Sequence, residues 1–222
     1  SAIEPASRKP FDLPTILTEE IDKELVPTED FPKYFPPTFN FAAYIDKSET
    51  LQKFVELGVD LSKIEKKYGL PEFVLTLDFN RDVKGHLLFL HDLGFPAENL
   101  GEMLTKNPLF FKNSLDDLET RLYYLRSKNF ELEQVQTIVM KDPFWLNFST
   151  TRIDRRLGWF QKNFELTGSD VRFLATKFPK VITSSLMHVR QIVFSVKEEM
   201  GFDKDETKVI LLAVPKLFMK SK

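Results

Sequence analysis

Four prolines in register constrain this chain more than any other feature. Pro108, Pro143, Pro179 and Pro215 are separated by 35, 36 and 36 residues. Each closes an apolar run: residues 100–107, 135–142, 171–178 and 207–214. A fixed period of this length is the mark of a repeat architecture. Proline lacks an N–H, and its ring clashes with the carbonyl one turn back, so each stops the helix before it.

A second landmark recurs about 13 residues upstream, a Phe or Val preceded by Gly or Asn. The pairs are Gly58-Val59, Gly94-Phe95, Asn129-Phe130, Asn163-Phe164 and Gly201-Phe202. Before each lies a stripe at helical spacing, such as Leu87, Leu90, Leu93 or Ile153, Leu157, Phe160. Spacings of three and four residues place such side chains on one helix face. Gly or Asn can take the left-handed conformation that ends a helix. One unit therefore reads helix, turn, helix, proline stop, connector. Capping signals agree: Ser114 with Asp117, Thr151 with Asp154, and Asp203 or Asp205.

The expected fold is an all-α helical-repeat solenoid. About five units start near residues 48, 83, 116, 151 and 187. The first is irregular, with Leu70-Pro71 standing at the proline stop, and the last is cut soon after Pro215, so the intact protein is expected to continue past Lys222. Neighbouring pairs must stack, because one pair cannot bury its apolar face alone. Residues 1–46 hold seven of the 13 prolines and read as an N-terminal arm, with a short acidic helix over 16–25 and anchors Phe31, Tyr34, Phe35, Phe39 and Phe41. The array occupies 47–222. The start at Ser1 rather than Met leads to the expectation of a processed or trimmed product, and nothing there resembles a targeting peptide.

The pattern Leu-x-x-Leu-x-x-Leu-Gly-Phe, about four residues, Leu-x-x-x-Leu-x-x-x-Pro runs almost in full from Leu87 to Pro108. It resembles the mitochondrial transcription termination factor (mTERF) family over residues 48–219. That resemblance implies repeats of two α-helices and a shorter 3₁₀ helix, curved into a half-ring with a basic path for nucleic acid. It also implies a mitochondrial matrix protein that regulates transcription, as a negative regulator, or serves ribosome biogenesis. The implied partners are double-stranded mitochondrial DNA, ribosomal RNA, and transcription or ribosome-assembly proteins.

Charge is distributed unevenly. The net charge is −2, but residues 1–100 carry −7 and residues 101–222 carry +5. Residues 151–190 hold 8 basic and 3 acidic residues, which equals the whole excess of the second half. A solenoid shows a partner the same position from successive repeats, so basic ladders at the period are the candidates for phosphate contact. One ladder is Lys106, Lys141 and Lys177, each two residues before a proline; its other reading is complementation of the helix dipole. A second is His86, Arg121 and Arg156. The densest cluster is Arg152, Arg155 and Arg156, followed by Lys162, Arg172, Lys177, Lys180 and Arg190. Its other reading is a solvated helix face. Changing Arg152, Arg155 and Arg156 to Glu is expected to weaken binding without lowering thermal stability. Trp145, Trp159, Tyr123 and Tyr124 are read as packing, with stacking on unpaired bases as the alternative.

Catalysis has little support. The absence of cysteine excludes thiolate zinc sites and a cysteine nucleophile. His86, His91 and His188 form no metal-ligand spacing, and with only 8 glycines no phosphate-cradling loop occurs. Ser184-Ser185 near His188 is read as a helix cap rather than a nucleophile. No cofactor, metal or membrane span is expected. A scaffold that binds a protein partner on its concave face is the alternative function, motivated by the net charge and the acidic first half.

Overall fold

The computed structural model describes residues 40–219. The expected arm lies outside the described residues except for 40–46. There Phe41 is buried, and its N–H donates to Glu65 Oε1 at 2.6 Å. The chain divides into two compact units, Ser1–Phe111 and Lys112–Lys222. Both are all-α, with no strand among the described residues.

Repeat 1 comprises helices Glu49–Glu56, Leu61–Glu65 and Leu70–Leu75. Pro71 sits in the first turn of that third helix, where the missing N–H costs nothing. Repeat 2 comprises a π-helical turn Phe79–Val83 running into Lys84–Asp92, then Ala97–Lys106, then the 3₁₀ helix Pro108–Lys112. Repeat 3 comprises Leu115–Ser127, Leu132–Lys141 and the 3₁₀ helix Pro143–Asn147. Repeat 4 comprises Thr150–Asn163, Gly168–Lys177 and Pro179–Thr183. Repeat 5 comprises Leu186–Phe194 with the π-turn Ser195–Glu199, then Lys204–Ala213 and Pro215–Met219. The prolines therefore have two roles, since each stops one helix and opens the next. The third helix is not always 3₁₀: in Pro179–Thr183 the Ser184 N–H reaches back four residues to the Lys180 carbonyl and closes an α-turn.

Like packs on like between repeats. In the second unit the first helices of repeats 3 and 4 touch, as do their second helices and their third helices. In the first unit the second helices of repeats 1 and 2 touch. Gly101 lets the second helix of repeat 2 approach the turn after the first helix of repeat 1. A Cβ there would lie 2.3 Å from the Leu57 carbonyl oxygen and 2.6 Å from the Gly58 carbonyl carbon. The core consists of the predicted stripes, with Leu51, Leu87, Leu90, Leu118, Phe160 and Val189 all essentially inaccessible.

The turn after the first helix holds its period better than residue type indicates. Left-handed residues stand at Gly58, Gly94, Asn129, Glu165 and Gly201, so they recur every 36, 35, 36 and 36 positions. The fourth is Glu165 and not Asn163, which is the last residue of its helix. After the first four, the next N–H bonds a carbonyl five residues back, in the Schellman pattern. The caps also differ at one point from expectation. Ser149, not Thr151, caps the first helix of repeat 4, accepting from the Arg152 N–H at 3.3 Å. Ser114 and Asp203 cap as expected. Thr167 with Asp170 forms a further reciprocal box, 36 residues before that of Asp203 with Glu206.

Candidate nucleic-acid interface

The two ladders differ in their chemical surroundings. Arg121 and Arg156 project from the first helices of repeats 3 and 4 onto the ends of the third helices of the same repeats. Arg121 Nη1 donates to Asn113 Oδ1 at 2.6 Å and to the Leu146 carbonyl. Arg156 Nη1 donates to the Ile182 carbonyl at 2.7 Å and to the Ser184 carbonyl. These carbonyls are the acceptors that a helix end leaves without internal donors. Burial draws both guanidinium groups below their ordinary pKa, and the like charge of Arg152 adds to this at Arg156. Arg156 is only 8% exposed, so changing it is a change to the core. The expectation that Arg152, Arg155 and Arg156 can all be reversed without loss of stability is thereby corrected for Arg156. His86, the first rung, is also buried, edge-on to Phe110 and Phe111.

Lysines reach from one repeat to the next. Lys141 Nζ donates to the carbonyls of Thr176 at 3.3 Å and Lys177 at 3.2 Å, at the end of the following repeat's second helix. Lys67 does the same to the Lys106 carbonyl at 3.3 Å. Lys106 itself pairs with Glu102 at 2.6 Å and holds that carboxyl below its ordinary pKa. The helix-dipole reading describes Lys141 directly. Lys177 is exposed.

The remaining cationic side chains of residues 151–190 are arranged differently. Arg152, Arg155, Lys162, Lys180 and Arg190 are exposed, and Arg172 is half-buried. Arg152 lies 4.3 Å from the centre of the Phe148 ring and Arg190 lies 5.5 Å from that of Trp159. None of the eight basic residues of this stretch forms an ion pair with a described carboxylate.

The three acids of the stretch have the opposite environment. Each is paired with a lysine from outside it: Asp154 with Lys128 at 2.9 Å, Glu165 with Lys204 at 3.0 Å, and Asp170 with Lys208 at 3.1 Å. Lys128 and the Tyr124 hydroxyl, 2.9 Å away, hold Asp154 below the usual carboxylate range. Burial and the neighbouring Asp154 push the Tyr124 phenol up in return. The Thr167 N–H and Lys208 lower Asp170. The negative charges are thus neutralised locally, while Arg152, Arg155, Lys162, Lys177, Lys180 and Arg190 face solvent. These lysines were not sequence candidates, because their partners lie 26 to 39 residues away in the chain and no local spacing marks them.

Two clefts gather the exposed cations. One, of about 480 Å³, is lined by Asp142, Phe144, Phe148, Arg152, Lys180 and Thr183. The other, of about 310 Å³, is lined by Lys141, Arg172, Phe173, Thr176 and Lys177. Arg155 and Lys162 line neither. Phe144, Phe148 and Phe173 were missed by sequence reasoning, which sought stacking at Trp and Tyr. Trp145 is buried, Trp159 packs edge-on to Phe160 and Phe164, and Tyr123 is exposed. Among the described residues, no group of three or more His, Asp or Glu could hold a metal ion, and no helix is long and apolar enough to cross a membrane.

Known proteins place this arrangement in a lineage. The chain is 51% identical over 175 residues to "Transcription termination factor 3, mitochondrial" of Drosophila melanogaster, a match covering 79% of this chain and 49% of that protein. It is 49% identical over 133 residues to the protein of the same name from Rattus norvegicus, covering 60% of this chain and 32% of that one. Identity to "Transcription termination factor 1, mitochondrial" of Homo sapiens is 24% over 155 residues, 65% of this chain and 39% of the relative. The chain thus spans less than half the length of these relatives. The mTERF family model matches residues 33–222, and the chain belongs to the mTERF family.

Proposed function

We propose that this chain is a nucleic-acid-binding regulator of mitochondrial transcription that acts by occupancy, holding phosphates on the cations of repeats 4 and 5. One observation carries the reading: the eight basic residues of 151–190, of which Arg156 alone is buried, have no carboxylate partner among the described residues, while the three acids of the stretch are each paired with a lysine from elsewhere. A solvated helix face does not need that separation, since exposed acids and bases would serve it equally. A phosphate ligand does need it, because counterions released from the polyanion drive association. The names of the relatives support the mitochondrial setting and the transcriptional role. Negative regulation, a role in ribosome biogenesis and residence in the matrix belong to the same proposal.

Arg152, Arg155, Lys180 and Arg190 are the direct contacts in this reading, with Lys162, Arg172 and Lys177 beside them. Arg121, Arg156, Lys141 and Lys106 support the surface from within the repeats. Fluorescence anisotropy with a labelled oligonucleotide across a salt series tests it. Each phosphate contact contributes a log–log slope of about −0.9 on duplex and about −0.7 on a single strand. The double variant R152E/R155E is expected to flatten that slope by about two contacts and weaken binding. Absence of binding near roughly 50 mM salt, where such contacts are strong, would overturn the reading in favour of a protein-binding scaffold.

A further inference from the structure

Two phenylalanines in the basic clefts are exposed at positions where the fold does not require an aromatic ring. Phe144 is 43% exposed and Phe173 is 48% exposed. Phe144 follows a register proline; the same position is Lys180 in repeat 4 and Lys216 in repeat 5, both exposed. Phe173 stands six residues before its proline, where repeat 2 has the exposed Glu102 and repeat 3 has Thr137. Packing therefore accepts lysine, glutamate or threonine at these two places. Each ring instead shares a cleft with cations: Phe144 with Arg152 and Lys180, Phe173 with Lys141, Arg172 and Lys177. Consecutive residues Lys141 and Asp142 line one cleft each. Thr176 also lines the second, and its buried hydroxyl has no hydrogen-bond partner among the described residues.

A duplex offers phosphates on its outside and keeps its base faces stacked within, so exposed rings gain nothing from it. An unpaired strand offers both a phosphate for each cation and a base face for each ring. From this pairing of rings and cations, and resting on the phosphate-binding reading above, we infer that the surface takes single-stranded nucleic acid, with bases stacked on Phe144 and Phe173. A third cleft, around Phe194 and Arg190, is set aside because Arg190 is the one lysine or arginine among its described lining residues.

The test uses the 222-residue chain and three labelled probes of about 12 nucleotides, a length within the range of single-strand sites. They are a thymidine strand, an abasic strand of the same phosphate count, and a duplex. The thymidine strand is expected to bind tightest. Each of F144A and F173A should weaken it by about 5-fold or more, the lower end of one stacked base. Both should leave the abasic and duplex affinities and the salt slope unchanged, which also shows the variants to be folded. Equal binding of thymidine and abasic strands, or tighter binding of duplex, would overturn stacking while leaving phosphate binding intact. Failure of every probe to bind would instead overturn the phosphate-binding reading itself.

Discussion

Replacing Arg156 with Met separates the structural ladder from the exposed cations around it. Methionine keeps much of the side chain's length and apolar stem but removes the Nη1 donor. The carbonyls of Ile182 and Ser184 then lose a charge-assisted hydrogen bond each. Such bonds contribute about 1.5–3 kcal/mol apiece, and the cost is greatest where the acceptor is buried. Ile182 is fully buried and Ser184 only half so, so the sum is about 3 kcal/mol rather than the full double value. At 2–4 °C per kcal/mol for a chain of this size, the melting temperature should fall by roughly 6–12 °C. Arg152 is the control. It is exposed, and its contact with the Phe148 ring is worth about 0.5–1 kcal/mol. Thermal unfolding followed by circular dichroism distinguishes them. If R156M melts within about 2 °C of R152M, an equivalence of less than about 1 kcal/mol, the lock does not exist. Arg156 would then return to the list of free cations.

Three further outcomes follow from features of the fold. Gly101→Ala forces a methyl against backbone atoms of Leu57 and Gly58 that cannot rotate away; a loss of about 3 kcal/mol is expected, at the upper end for overpacking, with faster amide exchange over residues 49–106. Glu165→Gly should raise the melting temperature, because relief of the left-handed strain, about 1 kcal/mol, exceeds the exposed pair with Lys204; a decrease would show that the ion pair dominates. Asp60, held at a pKa of about 2 by Ser62 and Lys63, binds fewer protons folded than unfolded. Its contribution is therefore present above the ordinary carboxylate range and is lost as pH falls through the folded value. Asp60→Asn should keep the helix cap and flatten the acid limb of stability between pH about 4 and about 2; an unchanged limb in urea unfolding refutes that.

Periodicity made the repeat legible, because proline and glycine act through the backbone and need no partner to be recognised. Residue type failed at Asn163, because it favoured one position and the period favoured another. Glu165 stands 36 residues from both Asn129 and Gly201, and period was the better guide. The basic stretch was legible as charge but not as surface. Nothing local distinguishes Arg156, which turns inward, from Arg155, which does not. The neutralising lysines at 128, 204 and 208 were invisible for a related reason, since ion pairing across repeats is set by stacking and not by spacing along the chain. Exposed phenylalanines are hidden in a sequence because apolar residues are read as core by default.

The lysines that reach forward from one repeat to close the next helix have a consequence for how such arrays change length. Each cap is donated forward by about one repeat, over 39 residues from Lys67 to Lys106 and 36 from Lys141 to Lys177. Deleting or duplicating a whole unit of about 36 residues keeps neighbouring helix ends opposite one another, since stacked repeats contact only their neighbours. Deleting half a unit leaves a donor without a helix end and a helix end without a donor. Gene rearrangements that preserve the phase should therefore survive as folded proteins, and the array can vary in number of repeats while the geometry within each stays fixed.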